Sequence, residues 1–409
     1  MDSKLENALK IMEITDGKIC DHCLGRKFSN EVEGPGNPLR GEKISKMLLQ
    51  NDITFDKNSK CAVCHDIFFD INEELAENVA QKIKDLDLEF DGFVVGSKLA
   101  KEVVEKDQSL NQELGLEVEN LKKEVNRELG KLLEISLHKE ADFDNPHLVI
   151  MVDFKKEIPS VRIQINPLFL EGRYRKLIRG IPQTKWPCRK CKGRGCEECN
   201  FTGKMYTESV EELISSHALK ITRGRSSKFH GAGREDIDVR MLGTGRPFVL
   251  EIKEPHQRTI DLEKLTHQIN QESEGKIEVL QLKYSIKSRK ASIKTSSPDT
   301  FKTYQAQVEL KEPVSLEKLE NLQSMNIINQ RTPLRVSHRR ADKVRIREVK
   351  SIEAKIINSH HIELIIKGQG GLYIKELISG DGGRTSPNVS DVLGTPASCV
   401  QLDVLEVQG

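Results

Sequence analysis

Four Cys-x-x-Cys pairs punctuate this chain, Cys20/Cys23, Cys61/Cys64, Cys188/Cys191 and Cys196/Cys199, and they take up eight of its nine cysteines. The opening residues, Met1-Asp2-Ser3-Lys4-Leu5-Glu6, alternate charges and carry no apolar leader, so a cytosolic chain is the expectation. In that setting paired cysteines point to thiolate metal ligation rather than disulfides. Two intervening residues let two sulfurs converge on one ion, and two such pairs complete a tetrahedral shell for zinc. The sharper set is Cys188-Arg189-Lys190-Cys191-Lys192-Gly193-Arg194-Gly195-Cys196-Glu197-Glu198-Cys199, where Gly193 and Gly195 permit the tight reversal. The other set closes a longer loop, from Cys23 to Cys61, through the turn-rich Gly34-Pro35-Gly36-Asn37-Pro38. One or two structural zinc ions are expected, with no coordination position left open for catalysis. A redox dithiol, or pairing across the two sets, competes with that reading. His22 and His65 are possible substitute ligands, and Cys399 is expected to be a small buried residue.

A chain of 409 residues needs two or three cores. Its 37% hydrophobic and 31% charged residues exclude a disordered chain, and no apolar run approaches a membrane span. The net charge of +1 conceals clustering. Arg162, Arg173, Arg175, Lys176, Arg179, Lys185, Arg189 and Lys190 are opposed by a single acid, Glu171, and a second cluster runs from Arg331 through Arg335, Arg339 and Arg340 to Arg347. Phosphates respond to such local fields, although solvated surface is the plain alternative.

Four regions follow from pattern and composition. Residues 1–70 read as a zinc-stapled module with short helices. Residues 71–165 read as an α+β module, with helices over Glu73–Leu86 and Gly115–Leu137 and strands at Gly92–Gly96, Pro146–Asp153 and Pro159–Ile165. Residues 166–205 form a basic connector with the second cysteine set. From 206 to 409 a helix over Glu208–Leu219 precedes strand candidates at Asp238–Met241, Phe248–Ile252, Ile277–Tyr284, Thr303–Leu310, Ile346–Ile357 and His361–Ile366. Their turn-like links predict a largely antiparallel sheet.

Three segments of this last region carry the chemistry. Phe229-His230-Gly231-Ala232-Gly233-Arg234-Glu235-Asp236-Ile237-Asp238-Val239-Arg240 delivers three acids and two arginines into a loop beside a strand, a place for a reactive carboxylate held by a cation. A surface salt-bridge loop is the bland alternative. Lys302-Thr303-Tyr304-Gln305-Ala306 opens a strand with one of only five tyrosines. Gly370-Gly371-Leu372-Tyr373-Ile374-Lys375-Glu376-Leu377 enters a short helix through two glycines. No phosphate-binding or dinucleotide glycine loop is present in the sequence.

Together these segments resemble the catalytic motifs of pseudouridine synthases. The run Gly233-Arg234-Glu235-Asp236 through Gly245-Arg246-Pro247-Phe248 resembles the signature of the archaeal and eukaryotic tRNA pseudouridine synthase 10 family, as do Trp186-Pro187-Cys188 and the N-terminal cysteine pairs. The middle region resembles the THUMP class of tRNA-binding modules. The resemblance implies a multidomain α+β protein: a zinc-stapled N-terminal module, a THUMP-like RNA-binding domain and a catalytic domain with a mixed, largely antiparallel sheet. It implies isomerisation of uridine to pseudouridine at positions 54, 55 or both in the TΨC arm of tRNA, with no organic cofactor and no obligate protein partner. It places the nucleophile at Asp236, with Asp238 as competitor, the active-site tyrosine at Tyr304, a basic partner for the carboxylate at Lys375 and an apolar residue beneath the base at Leu377. Arg234, Arg173, Arg175, Lys176, Arg179, Arg339 and Arg340 are the candidate RNA-binding cations. The alternatives are a zinc-stapled tRNA-binding protein without activity, or another THUMP-type tRNA-modifying enzyme.

Overall fold

The computed structural model describes residues 3–56, 59–295 and 300–408, without the side chains of Thr295 and Arg339. The chain divides into two units, Met1–Asn166 and Pro167–Gly409. No described helix is long and apolar enough to cross a membrane.

The first unit carries a four-stranded sheet, ordered β2 (Glu140–Ala141), β1 (Gly92–Lys98), β3 (Leu148–Asp153) and β4 (Ser160–Ile165). The first three strands are parallel, and β4 pairs antiparallel with β3. Helices Glu73–Asp85 and Leu121–Leu137 each start at an asparagine whose side chain accepts a backbone N–H, Asn72 from Leu75 and Asn120 from Lys123. Each cap contributes roughly 1 kcal/mol. Leu75, Val79 and Ile83 on one helix and Leu121, Val125, Leu129 and Leu133 on the other are buried, while Leu132, expected on the same buried face, is half-buried. The residues read from the sequence as a separate module before residue 70 share one apolar core with this sheet, in which Cys23, Cys61 and Cys64 lie with Leu129 and Ile150.

The second unit is built on a ten-stranded sheet. Its strands are β5 (Leu168–Lys176), β6 (Ser226–Gly231), β7 (Arg240–Lys253), β8 (Ile277–Ser285), β9 (Phe301–Leu310), β10 (Ile327–Arg331), β11 (Val344–Asn358), β12 (His361–Gln369), β13 (Thr385–Ser386) and β14 (Ala397–Val407). The order is β13-β10-β11-β12-β9-β14-β7-β5-β8, with β6 against β7. Every described pairing is antiparallel except β7 with β14, where Asp403 lies opposite Arg240. Asp403 receives Arg240 at 2.6 Å and Arg179 at 2.6 Å, so the parallel seam has an ionic clasp.

Three expectations change. The segment from residue 166, read as a connector, opens with β5, an interior strand between β7 and β8 whose Gly172, Tyr174 and Lys176 are buried. Asp238 is not on a strand with Asp236. Residues 232–239 form a loop and turn, and β7 starts at Arg240. Cys399, on β14, is half-buried rather than part of the core, and burial pushes its thiol up to about 11.

Candidate active site

The loop that joins β6 to β7 is held from below by a buried polar cluster. Glu235 turns inward, where Arg246 donates to it at 2.8 Å and the Tyr174 hydroxyl donates at 2.9 Å. Gln183 donates to the Tyr174 hydroxyl at 2.8 Å and to the Gly233 carbonyl at 3.0 Å. Arg246 also donates to the Ala232 carbonyl at 2.8 Å. The Glu235 and Arg246 side chains are 0% and 2% exposed, so the opposite charge of each compensates the other's lost hydration. Burial and the adjoining Glu235 push the Tyr174 phenol well above its ordinary range, which keeps it a donor. Gly233 takes a φ of +79°, a turn that a side chain would strain.

From the sequence, Lys176 belongs to an RNA-facing surface. In the fold it is fully buried, and its ammonium donates to the carbonyls of Ile181, Asp236 and Ile237 at 3.0–3.1 Å. It pins the loop from the backbone side.

Asp236, next along the chain, turns the other way, into a cleft of about 250 Å3. Its Oδ2 accepts from Arg335 Nη1 at 2.7 Å, and among the described residues its Oδ1 makes no hydrogen bond. Arg335 comes from a short 3-10 turn, Leu334–Arg339, and also binds Glu376, while its guanidinium lies 5.9 Å from the Tyr373 ring centre. Burial alone would lower its basicity, but Glu376 and Asp236 together raise it well above the ordinary arginine value. The guanidinium is thus a fixed positive charge with two carboxylate partners.

Tyr304 and Lys302 stand on the same inward face of β9, two residues apart, and both line the cleft. Burial pushes the Tyr304 phenol up to about 12, with Arg246 opposing. Burial and the charge of Arg246 bring the Lys302 amine down to about 7, against the pull of Glu235. Apolar lining comes from Leu402 and Val404 of β14, with Leu372 and Val336.

Lys375 opens the helix Ile374–Ser379 and reaches the cleft wall, but its partner is Asp238 at 2.6 Å, not Asp236. Burial would raise Asp238; the bond to Lys375 outweighs it and holds the carboxyl below its usual value. The expected base-packing residue, Leu377, is fully buried and lines no part of the cleft. Leu377 packs in the apolar core with Ile374 and Ile378, whereas Leu402 reaches the cleft from a strand.

The expected RNA-binding cations divide sharply. Arg173 donates to the carbonyls of Thr244 and Gly245, Arg175 to Gly243 and Glu278, and Arg179 to Asp238, Leu402 and Asp403. These arginines knit β5 and the segment after it to β7 and β14 and do not form an open cationic face. Arg234 and Arg340 are exposed and line the cleft, and the Arg339 side chain lies outside the described residues.

Both cysteine sets converge. Within each, all four sulfurs lie within 4.8 Å of one another. A tetrahedral zinc with Zn–S bonds of about 2.3 Å sets sulfurs roughly 3.8 Å apart. The separations found are 3.6 Å for Cys20–Cys64 and 3.7–3.9 Å for Cys188–Cys196, Cys191–Cys199 and Cys196–Cys199. Backbone N–H groups of Gly195, Cys196 and Gly203 point at sulfur at 3.2 Å, which favours thiolate. Both donor sets therefore fit zinc. His22 is no ligand here: it stacks on Phe68 and binds Glu124. His65 lies outside the cysteine cluster.

Comparison with known proteins bears on all of this. Two family models match, "Pus10, C-terminal" over residues 169–408 and "Pus10 THUMP domain, archaeal" over residues 75–153. A tRNA pseudouridine synthase Pus10 of Methanothermobacter marburgensis is 55% identical over 397 residues, 97% of each chain. Its counterpart in Methanosphaera stadtmanae is 45% identical over 402 residues, 95% of each. Among solved structures, a Cbf5-Nop10-Gar1 complex aligns with 48% of this chain and 45% of that one, at 19% identity and a TM-score of 0.30, too remote a likeness to carry weight.

Proposed function

Because this chain belongs to the Pus10 family of tRNA pseudouridine synthases, and is an isomerase, we propose that Asp236 is the carboxylate that acts on a uridine of the tRNA TΨC arm, at position 54, 55 or both. The observation that carries the reading is the cleft in which Asp236 and Tyr304 meet, with Arg335 on the carboxylate.

The reaction breaks the N1–C1′ bond of a uridine, makes a C5–C1′ bond, and exchanges the C5 proton for one on N1. Nothing is oxidised and no donor is consumed. Arg335 holds one oxygen of Asp236, and Oδ1 has no bond of its own to lose before meeting the ribose. A carboxylate so oriented can attack the sugar, or stabilise charge and take a proton from it. The Tyr304 ring offers a stacking face, and its raised ionisation keeps the hydroxyl protonated at neutral pH. Leu402 and Val404 make the floor apolar where the base must detach and turn. The target must first leave its stack, and Arg234 and Arg340 at the rim suit its phosphates. In this reading the carboxylate's cation is Arg335, and Lys375 acts one step away, on Asp238.

The two cysteine clusters, Cys20/Cys23/Cys61/Cys64 and Cys188/Cys191/Cys196/Cys199, are read as structural zinc sites. Four thiolates supply rigidity and leave no position for substrate. A cytoplasmic enzyme is the corresponding location.

The test is an unmodified tRNA transcript incubated with the protein and no added cofactor, followed by chemical mapping of pseudouridine. Product at 54 or 55 from the native chain, and none from Asp236→Asn, is the expected result. Undiminished product from Asp236→Asn removes that residue from its role. Product that requires a methyl donor, or no product under any condition, moves the chain to another activity.

A further inference from the structure

The cleft of Asp236 has a neighbour. A second cavity of about 220 Å3 lies against it and shares Arg234, Glu235, Asp236, Arg335 and Lys375 with it. These shared residues, the Asp236–Arg335 ion pair among them, form the partition between the two. On the far side stands Trp186, the only tryptophan of the chain, with Pro182 and Gln183. The proposed reaction gives this second cavity no task.

The indole is built into place. The Trp186 carbonyl accepts from Met205 N at 3.0 Å, Pro187 bridges to Lys204, and Cys188 N donates to the Gly203 carbonyl at 2.8 Å. A short antiparallel ladder thus ties the residues before Cys188 to those after Cys199, so the Cys188 cluster sets the position of the tryptophan. Tyr206 packs edge-on against the indole at 5.8 Å and 82°. Its face meets the Arg234 guanidinium at 5.8 Å, in the cavity itself. Trp186 is half-buried, which leaves part of its surface at the cavity.

An aromatic face, an arginine that can stack on it or bind phosphate, and direct continuity with a uridine-sized cleft are the requirements of a single-stranded nucleotide subsite. Consecutive nucleotides are joined by one phosphodiester. A strand that places one base in the first cleft must carry the next past the shared wall, where Arg234, Arg335 and Lys375 present cations. We propose that the Trp186 cavity holds the unstacked base of a nucleotide adjacent to the target uridine in the same RNA strand, with its phosphate over the partition. Trp186 is then a positioning residue for substrate. This rests on the pseudouridine synthase reading above.

The test uses the full chain and an unmodified tRNA transcript carrying 2-aminopurine on the 5′ or the 3′ side of the pseudouridylation site. Bound to Asp236→Asn, the probe at one of the two positions should be quenched. Adding Trp186→Ala should abolish that quenching, and Trp186→Phe should largely restore it. With Asp236 intact, Trp186→Ala should lower kcat/KM for pseudouridine formation roughly five- to a hundredfold, the span of one base–aromatic stack. On a transcript abasic at the same neighbour it should cause no further loss. Quenching at neither position, or quenching indifferent to Trp186, overturns the subsite. So do losses from Trp186→Ala and the abasic site that multiply. Failure of the native chain to form pseudouridine on the intact transcript is a different result: it defeats the enzyme reading, while the quenching experiment still reports on the cavity.

Discussion

Glu235 and Asp236 are consecutive acids in one loop, yet they belong to opposite regions of the second unit. Glu235 faces the protein interior, where Arg246 and Tyr174 bond both its oxygens, Gln183 braces the Tyr174 hydroxyl, and the side chain is closed off from water. Asp236 faces a cleft, where one oxygen is held by Arg335 and the other makes no hydrogen bond among the described residues. The first region is an electrostatic foundation; the second is what it supports. A carboxylate meant to react must be held without being saturated. The fully bonded acid lies one residue away from the one proposed to react, whose backbone carbonyl is bound by Lys176.

That division is broken most directly at Asp236. Asp236→Asn should lower pseudouridine formation roughly a thousandfold or more, the scale of losing a nucleophile or its equivalent. It should leave stability within about 1 kcal/mol, because the side chain is a third exposed and Arg335 keeps Glu376. Urea unfolding beside a single-turnover assay checks both halves. Equal damage to stability and turnover would mean that Asp236 belongs to the foundation after all.

The converse substitution is Arg246→Met. It strands Glu235 in a dry interior and should cost about 3–5 kcal/mol of unfolding free energy. Any loss of turnover should follow the loss of folded protein. A variant that stays fully folded while inactive would place Arg246 in the chemistry instead.

Much of this was legible in the sequence, and what was not has a common cause. The strands β8, β9, β11 and β12 announce themselves by local alternation, and the loop of Asp236 by glycines crowded with charge. The cysteine spacing foretold both clusters, because each cluster draws on two short local motifs. β5 escaped, because Arg173, Arg175 and Lys176 make an interior strand look like a basic tether. Arg335 was visible only as one member of a basic run. Its partner is 99 residues away in sequence, and no local period encodes that distance. Leu377 stands beside Lys375 in sequence but lines no part of the cleft, whereas Leu402, which does, carries no local signal: sequence proximity to Lys375 is not proximity to the cleft. The cation of the carboxylate and the floor of the pocket are tertiary facts.

Lys302 sharpens the comparison, since it lines the cleft yet responds to the charges of the foundation. Burial first, and then Arg246, bring its amine down to about 7 from the ordinary 10.5. Between those values the unfolded chain holds a proton that the folded chain has shed, so stability rises with pH across the window. Below about pH 7 both forms are protonated and the cost of burying the charge is present in full. Relative to Lys302→Met, the native chain should therefore gain on the order of 4 kcal/mol from pH 7 to about pH 10.5. A difference between the two chains that stays flat across the window would show that the amine keeps its charge when folded.

The smallest effect tests the outer edge of the cleft. Lys375 and Asp238 lie 2.6 Å apart, but the Asp238 side chain is 67% exposed, and water screens the pair. A double-mutant cycle with Lys375→Met and Asp238→Asn should give a coupling of at most about 1 kcal/mol in stability. The same cycle read in turnover separates two roles for the lysine. If Lys375 serves only to hold Asp238, either single variant and the double variant should lose similar activity. If the lysine pairs with Asp236 during the reaction, as the sequence first suggests, Lys375→Met should be far more damaging than Asp238→Asn. Asp238→Asn would then release the lysine and leave turnover intact or improved. The ion pairs Arg335–Asp236 and Lys375–Asp238 favour the first outcome, because a carboxylate already engaged by a guanidinium with a second anchor on Glu376 has no need of a lysine committed elsewhere.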